Sequence, residues 1–414
     1  MKKLMMIGSA LLVLSSSTAF ATQARLLALG MKETDNDGMY YIQDSRNIFL
    51  NVAYVNDYAD QIVTEYGALG ATIAGSTRTT LDKSNTPKAQ GGVFKKFGSM
   101  VYGVYLGNES NTSSLLRIAG SNSAARLLQT ADNQVDLFVA GDAGLKWGAN
   151  LLYGAGKDET TTIESKDSAL ATRFGVIGSN WDAHANISLG SKSERKDGAS
   201  ADSEFKGKLG VHAGGSYNIA DGKVFGYVKT YGWDQKLANA TMVKGDFTSY
   251  YLGYGQDMTV NGSDKIFASL AARKTDVNIK FSTKAEVRHL VIPLTLGYEA
   301  KATEWLTLRG SVIQNLYGKR DNKFVTDNAG LNGLNAAAAG VVTNVYGATG
   351  KSTIANSTEV NAGATLNFGQ LTIDGLIGLT NSTGGVDDPG TTVGKTGVLS
   401  ASNLQTKVAA TFKF

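Results

Sequence analysis

The chain has 414 residues, 42% of them apolar but only 18% charged, with 49 Gly, 3 Pro, no Cys and a formal charge of +4. A charged fraction this far below the roughly 25% of soluble domains, joined to ordinary hydrophobicity, excludes a disordered chain. The absence of cysteine excludes disulfide scaffolds, zinc fingers and dithiol redox centres, and the near-neutral balance excludes a dedicated nucleic-acid binder.

In chain order, the first element is a targeting segment. Lys2 and Lys3, an apolar run over 4–14, a polar stretch over 15–18 and Ala19-Phe20-Ala21 make a secretory signal with a small-x-small cleavage site, so the mature chain is expected to begin at Thr22. The run is too short for a membrane helix, which needs roughly 20 residues. Residues 22–57 are expected to form an N-terminal segment in the periplasm. Within them Glu33, Asp35, Asp37, Gly38 and Asp44 have the spacing of a calcium loop. With Glu first, Asp last and no second helix they read better as a solvated turn, and no metal is expected.

From residue 58 the pattern is a period of two broken by turn residues. Val360, Ala362, Ala364, Leu366 and Phe368 share one face while Asn361, Gly363, Thr365 and Asn367 share the other. Trp181, Ala183, Ala185, Ile187 and Leu189 alternate in the same way, so one face meets something apolar and the other something polar. About sixteen such segments follow, near 60–67, 89–97, 100–107, 134–140, 144–154, 168–177, 181–191, 204–217, 223–233, 247–257, 264–275, 285–300, 304–317, 357–367, 370–381 and 404–414. Tight turns such as 98–99 and 178–180 alternate with long polar connections such as 155–167 and 318–356.

In hydrocarbon no water pairs an exposed N–H or C=O, so a β structure there must close on itself. The pattern predicts an all-β fold, a transmembrane antiparallel β-barrel of about 16 strands over residues 58–414, with short periplasmic turns and long external loops. A soluble sandwich would show the same alternation. The one-sided long connections, the size, and Trp147, Trp181 and Trp305 just beyond short turns, where an aromatic belt lies, weigh against it.

The last segment carries the most specific motif. Val408, Ala410, Phe412 and Phe414 alternate with Lys407, Ala409, Thr411 and Lys413. This resembles the C-terminal signature of Gram-negative outer-membrane β-barrels of porin type. The segment 25–66, with NIFLN at 47–51 and YVNDYADQI at 54–62, is also similar to the start of the major outer-membrane proteins of predatory Gram-negative bacteria. The resemblance implies an integral place in the outer membrane, insertion by the barrel-assembly machinery, contact with outer-membrane lipid and lipopolysaccharide, and a homotrimer.

If the apolar faces meet lipid, the alternate faces line a lumen. They carry Lys146, Arg173, Lys206, Lys208, His212, Arg273, Arg309, Lys407 and Lys413 against Asp136, Asp182, Glu299 and Asp374. The basic excess predicts a mild preference for anions, unless the charges pair into a network that stiffens the wall. Segment 223–233 is ambiguous, because Phe225, Tyr227 and Tyr231 share a face with Lys229. With Lys229 inward the aromatics form a stacking path, as in sugar-specific porins. A bulge returning them to lipid is preferred, since barrel aromatics usually mark the interface. Two long connections are candidates to fold into the mouth: 318–356, with LNGLNAAAAGVV at 331–342, and 108–133.

No catalytic, cofactor or metal site is expected. GATGKS at 347–352 and GKT at 394–396 fail the phosphate-loop spacing, with Val345 and Pro389 where its first Gly belongs. His184 and His212, with Asp182 or Ser188, suggest a hydrolase constellation, for which polar lumen residues are the commoner explanation. The expectation is a passive pore for small hydrophilic solutes, with no nucleic-acid partner. The alternatives are a channel specific for sugars or hydrophobic compounds, and a surface enzyme or adhesin anchored by its barrel.

Overall fold

A computed structural model describes residues 22–31, 38–68, 88–108, 134–198, 200–236, 242–280, 284–324, 350–353, 358–380 and 404–414. The signal segment, residues 33–37, most of both mouth-loop candidates and GKT lie outside them. The described wall is one antiparallel sheet of β1 (Gln61–Ala68), β2 (Lys88–Phe97), β3 (Met100–Leu106), β4 (Gln134–Asp142), β5 (Lys146–Glu159), β6 (Ile163–Ile177), β7 (Trp181–Asp197), β8 (Ser200–Gly207) and β9 (Gly210–Ile219). It continues through β10 (Gly222–Lys236), β11 (Val243–Val260), β12 (Asp264–Lys280), β13 (Lys284–Lys301), β14 (Leu306–Phe324), β15 (Gly350–Thr353), β16 (Thr358–Phe368), β17 (Leu371–Thr380) and β18 (Leu404–Lys413).

β8 and β9 pair in succession with both β7 and β10, and β15 and β16 in succession with β14. Each of these couples fills a single place in the wall, so the 18 segments make a sixteen-strand barrel. β1 pairs with β18 from Gln61↔Lys413 to Ala68↔Thr406 and closes the ring. Every strand among the described residues therefore has a hydrogen-bonded neighbour on both sides, the condition for a sheet in hydrocarbon. The Phe414 N–H donates to the Asp60 carbonyl at 3.2 Å, so the wall begins and ends at the rim of the short turns.

The outer face is apolar over the lower part of the wall. Tyr102, Val104 and Leu106 of β3, Leu270 of β12, and Leu296 and Tyr298 of β13 are exposed, while their neighbours Val101, Tyr105, Ser269 and Thr295 are buried. A continuous band of this kind is unstable in water and suits lipid. Trp181 and Trp305 are exposed at its short-turn border, and Trp147 shares the outward face of Leu151 and Tyr153.

Above the band, β5 to β7 and β10 to β14 run on well past the roughly 9–11 residues that a bilayer requires, as do β8 and β9 taken together; β7 has 17 and β14 has 19. Residues 155–167, expected as a long loop, are the upper ends of β5 and β6 around a tight turn. Their outer face is polar. Lys166 pairs with Glu164, Lys192 with Glu194, and Lys206 lies 3.9 Å from Glu204. Each exposed pair contributes no more than about 1 kcal/mol, so backbone pairing rather than charge holds these extensions up.

Two irregularities reset which residues face inward. Between β6 and β7 the register slips at Leu170/Ala171, leaving Leu189 as an extra residue. Beside it the chain breaks at Lys208 and Leu209: Ser203 and Phe205 are buried before the break, Gly210, His212 and Ser216 after it. Odd positions face inward above the break and even positions below, as a one-residue bulge demands.

The ring is filled. Residues 22–31 and 38–59, with α1 (Gln23–Ala28) and two 3₁₀ helices, Ser45–Phe49 and Val52–Asp57, pack against inward-facing side chains of the wall. The expectation of a segment apart in the periplasm gives way to a lumenal plug. Leu26, Leu27, Ile42, Phe49 and Val52 are buried, and an apolar set of that size is not left in water when a cavity is at hand.

Candidate functional site: the plugged lumen

The plug has a polar edge and an apolar one. At the polar edge Thr22 caps α1, its hydroxyl accepting from the Arg25 N–H at 3.4 Å and donating to Asp374 of β17 at 3.2 Å. The Gln23 N–H donates to Glu65 of β1 at 2.9 Å. Arg25 forks, with Nε to Glu299 of β13 at 3.0 Å and Nη1 to Asp44 of the plug at 3.0 Å. Glu299 also lies 3.2 Å from Arg309, which bonds Asp374 at 3.0 Å. One buried chain of alternating charge, Asp44, Arg25, Glu299, Arg309, Asp374, thus joins plug to wall. Burial opposes the charge on Arg25, but Glu299 and Asp44 outweigh it and raise its pKa, so it stays a cation.

The apolar edge is built by the 3₁₀ helices. Phe49 meets Tyr105 and Phe138 edge-on, and Val52 and Val55 share that cluster with Phe94 and Val101. Arg46 lies over the Phe49 ring and bonds Asn108 at 2.7 Å. Asn51 caps the second helix and donates to the Val176 and Ala183 carbonyls, both at 3.2 Å. Tyr54 donates to Asp182, and Asp57 pairs with Lys146. The wall makes room with glycine: a Cβ on Gly148 would stand 2.6 Å from the Val52 carbonyl oxygen, and one on Gly175 would strike the Asn51 side chain.

On the side of β9 to β13 the plug meets aromatic rings. Phe225 of β10 is stacked with Tyr40 at 5.1 Å and with Tyr41 at 5.7 Å. β10 keeps an unbroken register with β11 from Gly222 to Gln235, so Phe225, Tyr227, Lys229 and Tyr231 all face inward, and the expected bulge toward lipid is absent from it. The plug supplies the apolar partner without which an inward aromatic face is unexpected. Between Tyr40, Tyr41, Tyr227 and Tyr251 lies a cavity of about 70 Å³.

Lys146, Arg173, Asp182, Glu299, Arg309 and Asp374 point inward and meet the plug or one another, while His212 points inward beside His184 and Tyr227, and Arg273 beside Tyr251. Arg173 is fully buried with Asp136 and Asn150 and lies 5.6 Å from the Phe49 ring. Lys206 and Lys208, expected on the same face, are a correction. The break after Gly207 turns both outward, and Lys208 bonds Asp234 on the outer face at 2.8 Å. His184 and His212 are neighbours, their rings edge-on at 5.1 Å. The sequence reading missed the plug residues Arg25, Tyr40, Tyr41 and Asn51; the signal was the density of large apolar residues in a stretch assigned to water.

No family model matches the chain, and no curated protein does. Among solved structures it is similar to an anion-selective porin from Comamonas acidovorans, at 13% identity over 86% of this chain and 98% of that one, with a TM-score of 0.33. It is similar also to the Pseudomonas putida toluene transporter TodX, at 11% over 95% and 98% with a TM-score of 0.35. The Ralstonia pickettii toluene transporter TbuX matches at 10% over 94% and 100%, with a TM-score of 0.36. The chain is an integral outer-membrane β-barrel. Its closed ring and apolar exterior are those of a membrane barrel.

Proposed function

We propose that this barrel is a channel closed by its own N-terminal segment, and that small hydrophilic solutes diffuse through it when the plug is displaced. The observation that carries this reading is the seating of the plug on glycines of the inner wall, Gly148 and Gly175, which side chains would obstruct. The mechanism has no chemical step. In support, neither ring nitrogen of His184 or His212 has a hydrogen-bond partner among the described residues, and Asp182 bonds Ser216 and Tyr54 instead, so neither of these two imidazoles is oriented as a base. A wall-wide anion preference is not part of the proposal, because Arg173 and Arg309 are neutralised by Asp136, Asp374 and Glu299. Contact with lipopolysaccharide, insertion by the assembly machinery and a homotrimer are, and crosslinking in whole cells tests the last.

Conductance in planar bilayers tests the gate. Gly148→Val and Gly175→Val unseat the plug without altering the lipid face, and each should raise mean conductance several-fold over the native protein. If the native protein already conducts as well as both variants, the plug does not gate it. If the folded variants are silent, the barrel is not a channel. A solute-specific channel is the second reading, favoured by the inward Phe225, Tyr227 and Tyr231.

A further inference from the structure

Three donor groups meet on the inner wall where β7 and β9 pair. His184 and Asn186 are successive inward positions of β7, and His212 stands on β9 directly opposite Asn186. The two imidazoles are therefore diagonal neighbours across the pair, with ring centres 5.1 Å apart and planes at 79°. Aromatic rings hold them against each other, Tyr40 of the plug 5.8 Å from His184 and Tyr227 of β10 4.7 Å from His212. His184, Asn186 and His212 are buried, at 5%, 2% and 7% exposure. Neither ring nitrogen of either histidine has a hydrogen-bond partner among the described residues, and neither does the Asn186 Oδ1. The plug fixes which way that amide points, because its Nδ2 donates to the Phe49 and Leu50 carbonyls at 3.4 and 3.3 Å. Buried polar atoms with nothing to bond cost free energy that a fitting ligand recovers.

From these groups we infer that His184, His212 and Asn186 bind one divalent transition-metal ion of the copper, nickel and zinc class. A neutral imidazole offers one nitrogen lone pair and is the commonest protein ligand of such ions. Metal–nitrogen bonds of about 2.0–2.1 Å meeting near the tetrahedral angle put two ring centres roughly 5 Å apart, which is the separation of this pair. The torsion that turns an imidazole about its own axis is soft, so a nitrogen of each ring reaches the shared point without moving either strand. Asn186 adds a neutral oxygen, and water completes the shell. Calcium and magnesium prefer an all-oxygen set and are a poor match. The chain has no cysteine and three histidines in all, and the third, His289, stands apart on β13. No short motif marks the site, because strand register rather than spacing along the chain brings the two histidines together. The inference stands apart from the channel reading, since a barrel that never opens would still take up the ion on folding.

The test is calorimetric titration of the whole mature protein, without a histidine tag, in detergent micelles with copper(II), zinc and magnesium chlorides, joined to electron paramagnetic resonance of the copper form. About one copper or one zinc ion should bind per chain, copper more tightly, and magnesium at least tenfold more weakly than zinc. The copper spectrum should carry coupling to two nitrogens. His184→Gln and His212→Gln should each weaken zinc at least tenfold and leave one nitrogen on any copper still bound, while His289→Gln should change neither readout. Because both imidazoles are buried, the titration is repeated on protein refolded with zinc present, and no binding in either form overturns the site. So does zinc that binds unchanged after both histidines are replaced, zinc that His289→Gln removes, or magnesium held as tightly as zinc. Circular dichroism shows whether each variant is folded. Where a Gln form is not, His184→Phe or His212→Phe, which keeps the ring packing and loses the nitrogens, replaces it with the same expected loss.

Discussion

Arg25 of the plug and Glu299 of β13 are joined twice, Nε to Oε2 at 3.0 Å and Nη2 to Oε1 at 3.3 Å, at a point where both are buried. Each also serves a second partner on its own side, Asp44 and Arg309. Removing one member of a buried pair strands the other, at about 3–5 kcal/mol. Arg25→Gln is therefore expected to release the polar edge of the plug while the ring of strands persists. Trypsin should then cut at Arg46 in the folded barrel, and conductance should rise. Arg25→Lys loses the forked geometry but keeps the charge, and should fall between. An Arg25→Gln protein as protease-resistant as the native one would show that this pair does not hold the plug.

Asp44 makes plug seating depend on pH. Burial pushes its carboxyl up to about 7, against Arg25 and the Arg46 N–H that favour the anion, with Asp374 adding a smaller push upward. In a displaced plug the value returns to about 3.8. The seated state thus takes up a proton, its contribution complete below about pH 4 and lost as the pH rises through 7. The displaced fraction should grow between pH 5 and pH 8, read as mean conductance. Asp44→Asn, which cannot titrate, should flatten that rise; an unchanged slope in the variant would assign it to another group.

The wall was legible where lipid enforces alternation, and there only. β16 reads from Val360 to Phe368 because every second side chain meets hydrocarbon and the others do not. Above the lipid the same backbone continues with polar residues on its outer face, as at Lys166, Lys192 and Glu204, and a polar strand looks like a loop. The plug was illegible for another reason. Arg25 finds Glu299 and Asn51 finds Val176 across long spans of sequence, so no local period records the match. The inward aromatics of β10 were misread from the same cause, since Phe225 faces Tyr40 and not water.

The assignment of faces on β13 has a direct energetic test. Leu296 is exposed on the outer face, five residues from the short turn after Lys301. At about 3.3 Å per residue and a tilt near 40°, it lies roughly 13 Å above that turn, close to the middle of an apolar band about 25 Å tall. Leu296→Arg is expected to cost about 2–4 kcal/mol in urea titrations of the protein folded into lipid vesicles. Arginine in place of the exposed Lys301 at the rim should be nearly neutral. Equal costs at the two positions would place Leu296 outside the hydrocarbon.

Lys206 and Lys208 test the break between β8 and β9. Were β8 and β9 one regular strand, both would share the inward face of His212, and their charge would bias which ions pass. The extra residue at the break turns them outward, where Lys208 bonds Asp234 and Lys206 lies near Glu204. In the plug-displaced Gly175→Val background, the added pair Lys206→Gln and Lys208→Gln should leave the reversal potential in a salt gradient unchanged. Arg273→Gln in the same background should shift it toward cations, because the guanidinium faces the lumen. A shift from the lysine pair as large as that from Arg273 would mean that β8 carries no bulge and that the two lysines do line the passage.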